Sequence, residues 1–112
     1  MNDVLGQLTA LIEERRHADP AASYVAKLHQ QGLNRILEKV GEEATEVILA
    51  AKDVREGDGR AELTGEVADL LFHCMVMLSH LDLDVGGVLE CLAGRFGVSG
   101  LEEKASRGRS PD

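Results

Sequence analysis

Residues 66–78 of this 112-residue chain read Glu-Val-Ala-Asp-Leu-Leu-Phe-His-Cys-Met-Val-Met-Leu, and they are the strongest indication of the fold class. The stretch has no period-two alternation of polar and apolar residues, and wound as a helix it is apolar nearly all the way round. Such a helix is expected in the core of a bundle or a dimer. Its polar members Glu66, Asp69 and His73 fall on one narrow stripe, one turn apart. Carboxylates beside an apolar core are costly unless they are paired, protonated or bound to a metal.

Helical patterns also fill the sequence before this stretch, whereas strand signals are scarce. Apolar residues from Val4 to Ile12 recur at helical spacing, and the sequence at 18–20, Ala-Asp-Pro, breaks the run. Ser23 is a predicted N-cap for a short second helix, which Gly32 should end. The chain therefore begins with two predicted helices.

Three further helices are predicted, from about Leu33 to Asp53, from about Ala61 to Leu81, and after a cap at Asp84. The fold class expected is all-α: an antiparallel bundle of about five helices in one domain, residues 1–112, with 97–112 as a flexible tail. The apolar positions predicted to face the core are Leu33, Ile36, Leu37, Val40, Ala44, Val47, Ile48 and Ala51 on the third helix, and Val88, Leu89, Leu92 and Phe96 on the fifth.

Charge and composition exclude several classes of partner and location. The net charge of −8 argues against a nucleic-acid surface, which needs clustered Lys and Arg. The longest apolar run is too short to span a membrane, and the N-terminus has no signal-peptide pattern, so a cytoplasmic protein is expected. Cys74 and Cys91 match neither a metal-binding nor a redox spacing and are expected to be buried apolar residues.

Four acids form two pairs at i,i+3 spacing, Glu43 with Glu46 on the third helix and Glu66 with Asp69 on the fourth. A short connecting loop would place these helices antiparallel, so the pairs can face each other. Four carboxylates suit Mg²⁺, with Mn²⁺ as a second candidate, whereas zinc favours Cys and His. The alternative is a structural salt-bridge network with Lys39, Lys52 or Arg35.

The histidines do not support a different metal. A di-iron bundle requires Glu-x-x-His on two helices, and this chain has the spacing only once, from Glu14 to His17. His73 follows Asp69 by four residues and is a candidate either to support a metal ligand or to bind the substrate. The remaining histidines, His29 and His80 together with His17, show no partner pattern and are predicted to lie at the surface.

Metal-assisted hydrolysis is the reaction class that these residues favour. The sequence contains no Gly-x-Ser-x-Gly elbow and no Gly-x-x-x-x-Gly-Lys-Ser/Thr phosphate loop. In metal-assisted hydrolysis, ions neutralise the charge of a diphosphate linkage and activate water, while a carboxylate accepts the proton.

The same residues carry a family resemblance. Residues 39–47, Lys-Val-Gly-Glu-Glu-Ala-Thr-Glu-Val, and residues 66–73 resemble the acid motifs of the MazG-like all-α nucleotide pyrophosphohydrolases. Within that superfamily the chain closely resembles the phosphoribosyl-ATP pyrophosphatase family. The narrower likeness rests on residues 23–28, Ser-Tyr-Val-Ala-Lys-Leu, residues 32–36, Gly-Leu-Asn-Arg-Ile, and residues 99–104, Ser-Gly-Leu-Glu-Glu-Lys.

The resemblance implies hydrolysis of phosphoribosyl-ATP to phosphoribosyl-AMP and pyrophosphate, with Mg²⁺ required, in a helical homodimer. It implies metal ligation by four acids and an auxiliary role, with the water or the metal, for Glu42. It also suggests two groups of substrate contacts. The metal ligands so implied are Glu43, Glu46, Glu66 and Asp69; the phosphate contacts are Lys27, Asn34, Lys39 and Lys52; the residues that close over the ribosyl phosphate are Ser23, Tyr24, Lys104 and Arg107.

Two other functions stay open at this point. One is a house-cleaning pyrophosphatase that acts on non-standard or surplus nucleoside triphosphates, and the other is a non-catalytic helical adaptor whose acids form a salt-bridged face. The sequence also departs from the family pattern at Phe72, where relatives often have Tyr, and at Glu38, where a second basic residue is common.

Overall fold

The computed structural model describes residues 3–97, and within them it contains five α-helices and no β-strand. This confirms the predicted all-α class and the number of helices. The predicted tail, with Lys104 and Arg107, lies outside the described residues. The helices are α1 (Asp3–Arg15), α2 (Tyr24–Gln31), α3 (Leu33–Lys52), α4 (Arg60–His80) and α5 (Val85–Phe96).

Residues at both ends of α2 fix its length. The Ser23 hydroxyl accepts a hydrogen bond from the Ala26 backbone N–H at 3.2 Å, which is the predicted N-cap. Gly32 ends the helix with φ of 100°, a conformation that favours glycine, and its N–H bonds to the Leu28 carbonyl. Because α3 begins at the next residue, Gly32 forms the whole turn between α2 and α3.

Helices α3 and α4 form the central antiparallel pair, and their packing against each other is the most extensive in the chain. The loop between them is closed by two backbone hydrogen bonds between Arg55 and Asp58, both 2.9 Å. Gly59 starts α4 with φ of 89°, and a Cβ atom there would lie 3.2 Å from the Val54 Cα atom. The loop therefore requires glycine at this position for two reasons, the backbone angle and the close approach.

The apolar core lies where all five helices meet. Its buried members come from each helix, and Leu5, Leu8, Phe72 and Met77 pack around them. The core residues are Ile12, Val25, Leu28, Ile36, Met75, Val76 and Val85.

Several residues predicted to face the core are exposed instead, and that prediction was wrong for the single chain. Ile36 is buried and Leu33, Val40, Ala44 and Val47 are half-buried, but the rest of the predicted α3 face is open to solvent. The reason is that neighbouring helices cover only one side of the α3–α4 pair, and α5 packs mainly on α1. The exposed residues are Leu37, Ile48 and Ala51 on α3, Val67 and Leu71 on α4, and Val88, Leu89, Leu92 and Phe96 on α5.

No helix within residues 3–97 has the length and apolar character needed to cross a membrane.

Candidate active site

Three carboxylates from the central helix pair converge on one point. Carboxylate oxygens of Glu43 and Glu46 on α3 and of Glu66 on α4 all lie within 4.8 Å of one another. The i,i+3 spacing brings Glu43 and Glu46 to the same side of α3, and the antiparallel pairing brings α4 opposite. This group of three is called the acid cluster below.

The acid cluster contains buried oxygen atoms without partners. Glu43 is 7% exposed, and its Oε1 atom has no hydrogen-bond partner in the described part of the chain. The same is true of Glu66 Oε1. A buried carboxylate oxygen without a donor is costly, so the cluster fits a cation that would accept both oxygens as ligands.

The surroundings of Glu66 in the acid cluster raise the pKa of its carboxyl group. Burial raises this pKa above its ordinary value. A hydrogen bond that the protonated Glu66 carboxyl donates to Glu46 and the negative charge of Glu46 raise it further, with smaller effects from Asp69 and Glu43. Like charges held together in this way disfavour the ionised form. A divalent cation would remove the repulsion.

Asp69 and Glu42, the other two predicted acids, are exposed and lie at the margin of the acid cluster. Asp69 is one turn beyond Glu66 and is close enough for its charge to act on Glu66, but it is not one of the three acids within 4.8 Å. Glu42 is directed to cations, with Lys39 Nζ at 3.2 Å and an Arg35 nitrogen at 3.9 Å. The structure thus brings together three of the five predicted acids.

Lys39 joins the outer acids to the acid cluster. Its ammonium lies 3.2 Å from Glu42 and 3.5 Å from Glu43 Oε2, and the hydrogen bond that Lys39 donates to Glu42 raises the pKa of Lys39. These contacts match part of the salt-bridge network considered as an alternative. Within residues 3–97, however, Glu46 and Glu66 form no ion pair, so that network does not account for the inner carboxylates.

His73 and Tyr24 form a hydrogen-bonded pair next to Asp69. Tyr24 Oη lies 2.8 Å from His73 Nε2, and His73 Nδ1 lies 2.8 Å from the Asp69 backbone carbonyl. His73 is 6% exposed, and the Tyr24 ring stacks on Phe72 with centroids 6.2 Å apart. Both ring nitrogens of His73 therefore have partners inside the protein, which the sequence did not indicate because the pair joins positions 49 residues apart.

The remaining predicted contact residues differ in their surroundings. Ser23 is buried, and its hydroxyl caps α2. The side chains of Lys27, Asn34 and Lys52 are exposed. Lys104 and Arg107 lie outside the described residues, so these two contacts stay predictions.

His29 and His80 form a second pair, which the sequence analysis placed at the surface instead. Their Nδ1 atoms are 3.0 Å apart, their rings stack with centroids 5.1 Å apart, and both residues are half-buried. The prediction of two unpaired surface histidines was wrong because the ends of α2 and α4 meet in the fold. No sequence pattern links positions 51 residues apart.

Comparison with known proteins identifies a family and relatives that this chain resembles over most of its length. A family model described as "Phosphoribosyl-ATP pyrophosphohydrolase" matches residues 5–96. Relatives named phosphoribosyl-ATP pyrophosphatase in Burkholderia cenocepacia (strain HI2424), Burkholderia vietnamiensis (strain G4 / LMG 22486) and Burkholderia ambifaria (strain MC40-6) are each 55% identical over 107 residues. Each alignment covers 96% of this chain and 88% of the relative.

Proposed function

The chain belongs to the phosphoribosyl-ATP pyrophosphohydrolase family, and we propose where and how it carries out the family's reaction. The reaction is hydrolysis of phosphoribosyl-ATP to phosphoribosyl-AMP and pyrophosphate, a step of histidine biosynthesis. The acid cluster is the proposed catalytic centre, with Mg²⁺ as the preferred cation and Mn²⁺ as a substitute.

The observation that carries the proposal is the pair of buried, unpartnered oxygens, Glu43 Oε1 and Glu66 Oε1, within a group of three converging carboxylates. Hard oxygen ligands on facing helices suit a hard divalent cation. Within residues 3–97, Lys39 contacts Glu43 through Oε2, which leaves Glu43 Oε1 and Glu66 Oε1 without a donor. Asp69, one turn from Glu66, is proposed as the fourth ligand. When bound, the cation supplies charge neutralisation of the phosphates and activation of water.

The residues of the chain have distinct proposed tasks around that centre. Glu43, Glu46, Glu66 and Asp69 would hold the cation, and Glu42 at the margin would accept the proton from the attacking water. Lys39 offsets the negative charge of Glu42 and Glu43 when the phosphates approach. The exposed residues Lys27, Asn34 and Lys52 are proposed phosphate contacts.

The assembly proposed for the active protein is a homodimer in the cytoplasm. Exposed apolar side chains on the central helix pair, such as Ile48 and Leu71, give the monomer a surface that a second copy would cover.

The first test measures pyrophosphate release from phosphoribosyl-ATP in the presence and absence of Mg²⁺. In the unmodified protein we expect turnover that depends on Mg²⁺. In Glu46→Gln and Asp69→Asn we expect a decrease in kcat/KM of about 100-fold or more, because a weakened ligand set loses both affinity for the cation and its placement. Unchanged activity in both variants would refute the mechanism.

Two controls separate this function from the alternatives. Glu90→Gln makes the same chemical change on an exposed acid of α5 and should leave turnover unchanged. Equal turnover of dUTP, dCTP or ITP would indicate a house-cleaning enzyme instead. An adaptor would show no increase in Tm with Mg²⁺, whereas a cation that binds only the folded state must raise the Tm.

A further inference from the structure

We propose that Tyr24 recognises a ribose hydroxyl of the substrate by accepting its hydrogen bond, and that His73 is the positioning residue that gives Tyr24 this polarity. The inference rests on the function proposed for the adjoining acid cluster. It assigns Tyr24 to a sugar hydroxyl rather than to a phosphate, and it removes His73 from direct contact with the substrate.

The contacts of the His73 ring determine its tautomer. Its Nδ1 atom lies 2.8 Å from the backbone carbonyl oxygen of Asp69. A carbonyl oxygen can only accept a hydrogen bond, so the proton of the neutral imidazole must be on Nδ1. Nε2 then carries a lone pair and no hydrogen.

The tautomer of His73 determines the direction of its hydrogen bond with Tyr24. Tyr24 Oη lies 2.8 Å from Nε2, which can only accept, so the Tyr24 hydroxyl donates its one hydrogen to His73. Burial raises the pKa of Tyr24, which keeps that hydrogen in place at neutral pH. With its hydrogen engaged, the Tyr24 oxygen offers only lone pairs to any other partner.

The exposure of Tyr24 and His73 shows which member of the pair a ligand can reach. Tyr24 is 48% exposed, whereas His73 behind it is 6% exposed, so the tyrosine is the member of the pair that a ligand can reach. The charges of Lys39, Arg35 and Glu43 act on the Tyr24 hydroxyl. The hydrogen bonds from Tyr24 to His73 and from His73 to the Asp69 backbone carbonyl place this hydroxyl near Asp69, at the margin of the acid cluster.

The lone pairs on the Tyr24 oxygen determine which group of a ligand it can bind. Phosphate oxygens at neutral pH are acceptors and cannot bond to an oxygen that offers only lone pairs. A ribose hydroxyl can donate to Tyr24 and at the same time accept from a neighbouring cation such as Lys39. An amino group on the base can only donate a hydrogen bond, so it could bond to the Tyr24 oxygen but not to the Lys39 ammonium. Phosphoribosyl-ATP has two riboses, and both are candidates.

The test uses the full-length enzyme and measures both turnover and binding. In Tyr24→Phe we expect KM for phosphoribosyl-ATP to rise about 3- to 10-fold, the usual effect of losing one hydrogen bond, while kcat changes less than about twofold. His73→Asn retains a donor for the Asp69 carbonyl but removes the acceptor for Tyr24. Its KM should rise by a similar factor, and the double variant should be no worse than Tyr24→Phe alone.

Binding constants measured by calorimetry with Mg²⁺ distinguish the two riboses. The probes are AMP against 2′,3′-dideoxy-AMP, and ribose 5-phosphate against 2-deoxyribose 5-phosphate, with pyrophosphate as the probe without hydroxyls. We expect the unmodified protein to prefer the hydroxylated member of one pair about 3- to 10-fold, and Tyr24→Phe to lose that preference while it binds pyrophosphate as before.

Three results would overturn the assignment: an unchanged KM in Tyr24→Phe, the absence or the retention in Tyr24→Phe of the preference for a hydroxylated probe, or an equal loss of affinity for pyrophosphate. Because binding is measured without turnover, this outcome is distinct from failure of the proposed function. That failure would appear as absence of Mg²⁺-dependent hydrolysis in the unmodified protein.

Discussion

At the scale of single residues, sequence spacing predicted which acids share a helix face but not what each acid contacts. Glu43 and Glu46 meet Glu66 as the i,i+3 spacing indicated. The same spacing could not show that Glu42 is directed to Lys39 and Arg35, because helical periodicity fixes the direction of the Cα–Cβ bond and leaves the rotamers of a long side chain open.

Hydrogen bonds between residues that are distant in the sequence could not be predicted, because they depend on how the helices pack. His73 was correctly singled out as a polar residue on an apolar helix, but its partner Tyr24 lies on α2. The pairing depends on how α2 packs across α4, which no local pattern encodes.

The His29–His80 pair predicts a loss of stability in mild acid. Burial lowers the pKa of His29 below its ordinary value of 6.5, and the charges of Arg16 and His80 lower it further, with a smaller contribution from His17 and an opposing one from Glu13. Below pH 6.5 the unfolded chain therefore binds a proton that the folded chain resists. Stability contributed by neutral His29 is present above pH 6.5 and is lost as the pH falls.

Thermal unfolding between pH 7.5 and pH 5.0 checks this prediction. We expect Tm to fall less steeply in His29→Asn than in the unmodified protein, since asparagine can replace the hydrogen bond to His80 without titrating. His17→Asn removes only the smallest of the effects on the pKa of His29, so it should change the slope much less than His29→Asn does. Equal slopes in His29→Asn and the unmodified protein would contradict the prediction.

At the scale of helices and loops, the capping residues were the most informative part of the sequence. Ser23 and Asp84 cap α2 and α5 through their side chains, and Gly32 and Gly97 end those helices with positive φ. These assignments were predictable, apart from Gly97, because a cap is local: a side chain bonds a backbone group three residues away.

Ser23→Ala should lower stability by about 1 kcal/mol, because the Ala26 N–H in a buried position loses its partner. For a chain of this size, that corresponds to a decrease in Tm of roughly 4–8 °C. Ser23→Thr keeps a hydroxyl at the cap and should recover most of the loss.

Because the Ser23 hydroxyl already caps α2, KM for phosphoribosyl-ATP should change less than about twofold in folded Ser23→Ala. A 10-fold rise in KM would instead support a direct contact between Ser23 and the substrate.

Contacts at the ends of helices were less predictable. The Arg16 guanidinium donates to the Ser79 carbonyl at 2.7 Å and lies 3.5 Å from Asp82, so it ties the end of α1 to the end of α4. Asp82 has φ of 63°, which is uncommon for a residue other than glycine. This junction was not predictable, since neither Arg16 nor Asp82 belongs to a recognised capping pattern.

At the scale of the whole molecule, the all-α class followed from the helical period of the apolar residues, and the antiparallel α3–α4 pair followed from the short loop. The extent of burial did not follow. Periodicity identifies the apolar side of a helix but not what covers it, which is why Leu37, Ile48 and the apolar residues of α5 were predicted as core and are exposed in the single chain. A self-association surface would reconcile the pattern with the exposure.

The last prediction therefore concerns the oligomeric state. Ile48 is 59% exposed on α3, and a second copy that covers the α3–α4 pair would bury it. A glutamate at this position would place a charge in an apolar interface, which is costly without a partner. We expect the unmodified protein to sediment as a dimer and Ile48→Glu to shift toward monomer at the same concentration.

Leu83→Glu is the matched control, because Leu83 is also 59% exposed but lies in the α4–α5 loop, and this variant should remain dimeric. A monomeric unmodified protein with full Mg²⁺-dependent turnover would show instead that the exposed apolar face of α3 has no part in the active assembly.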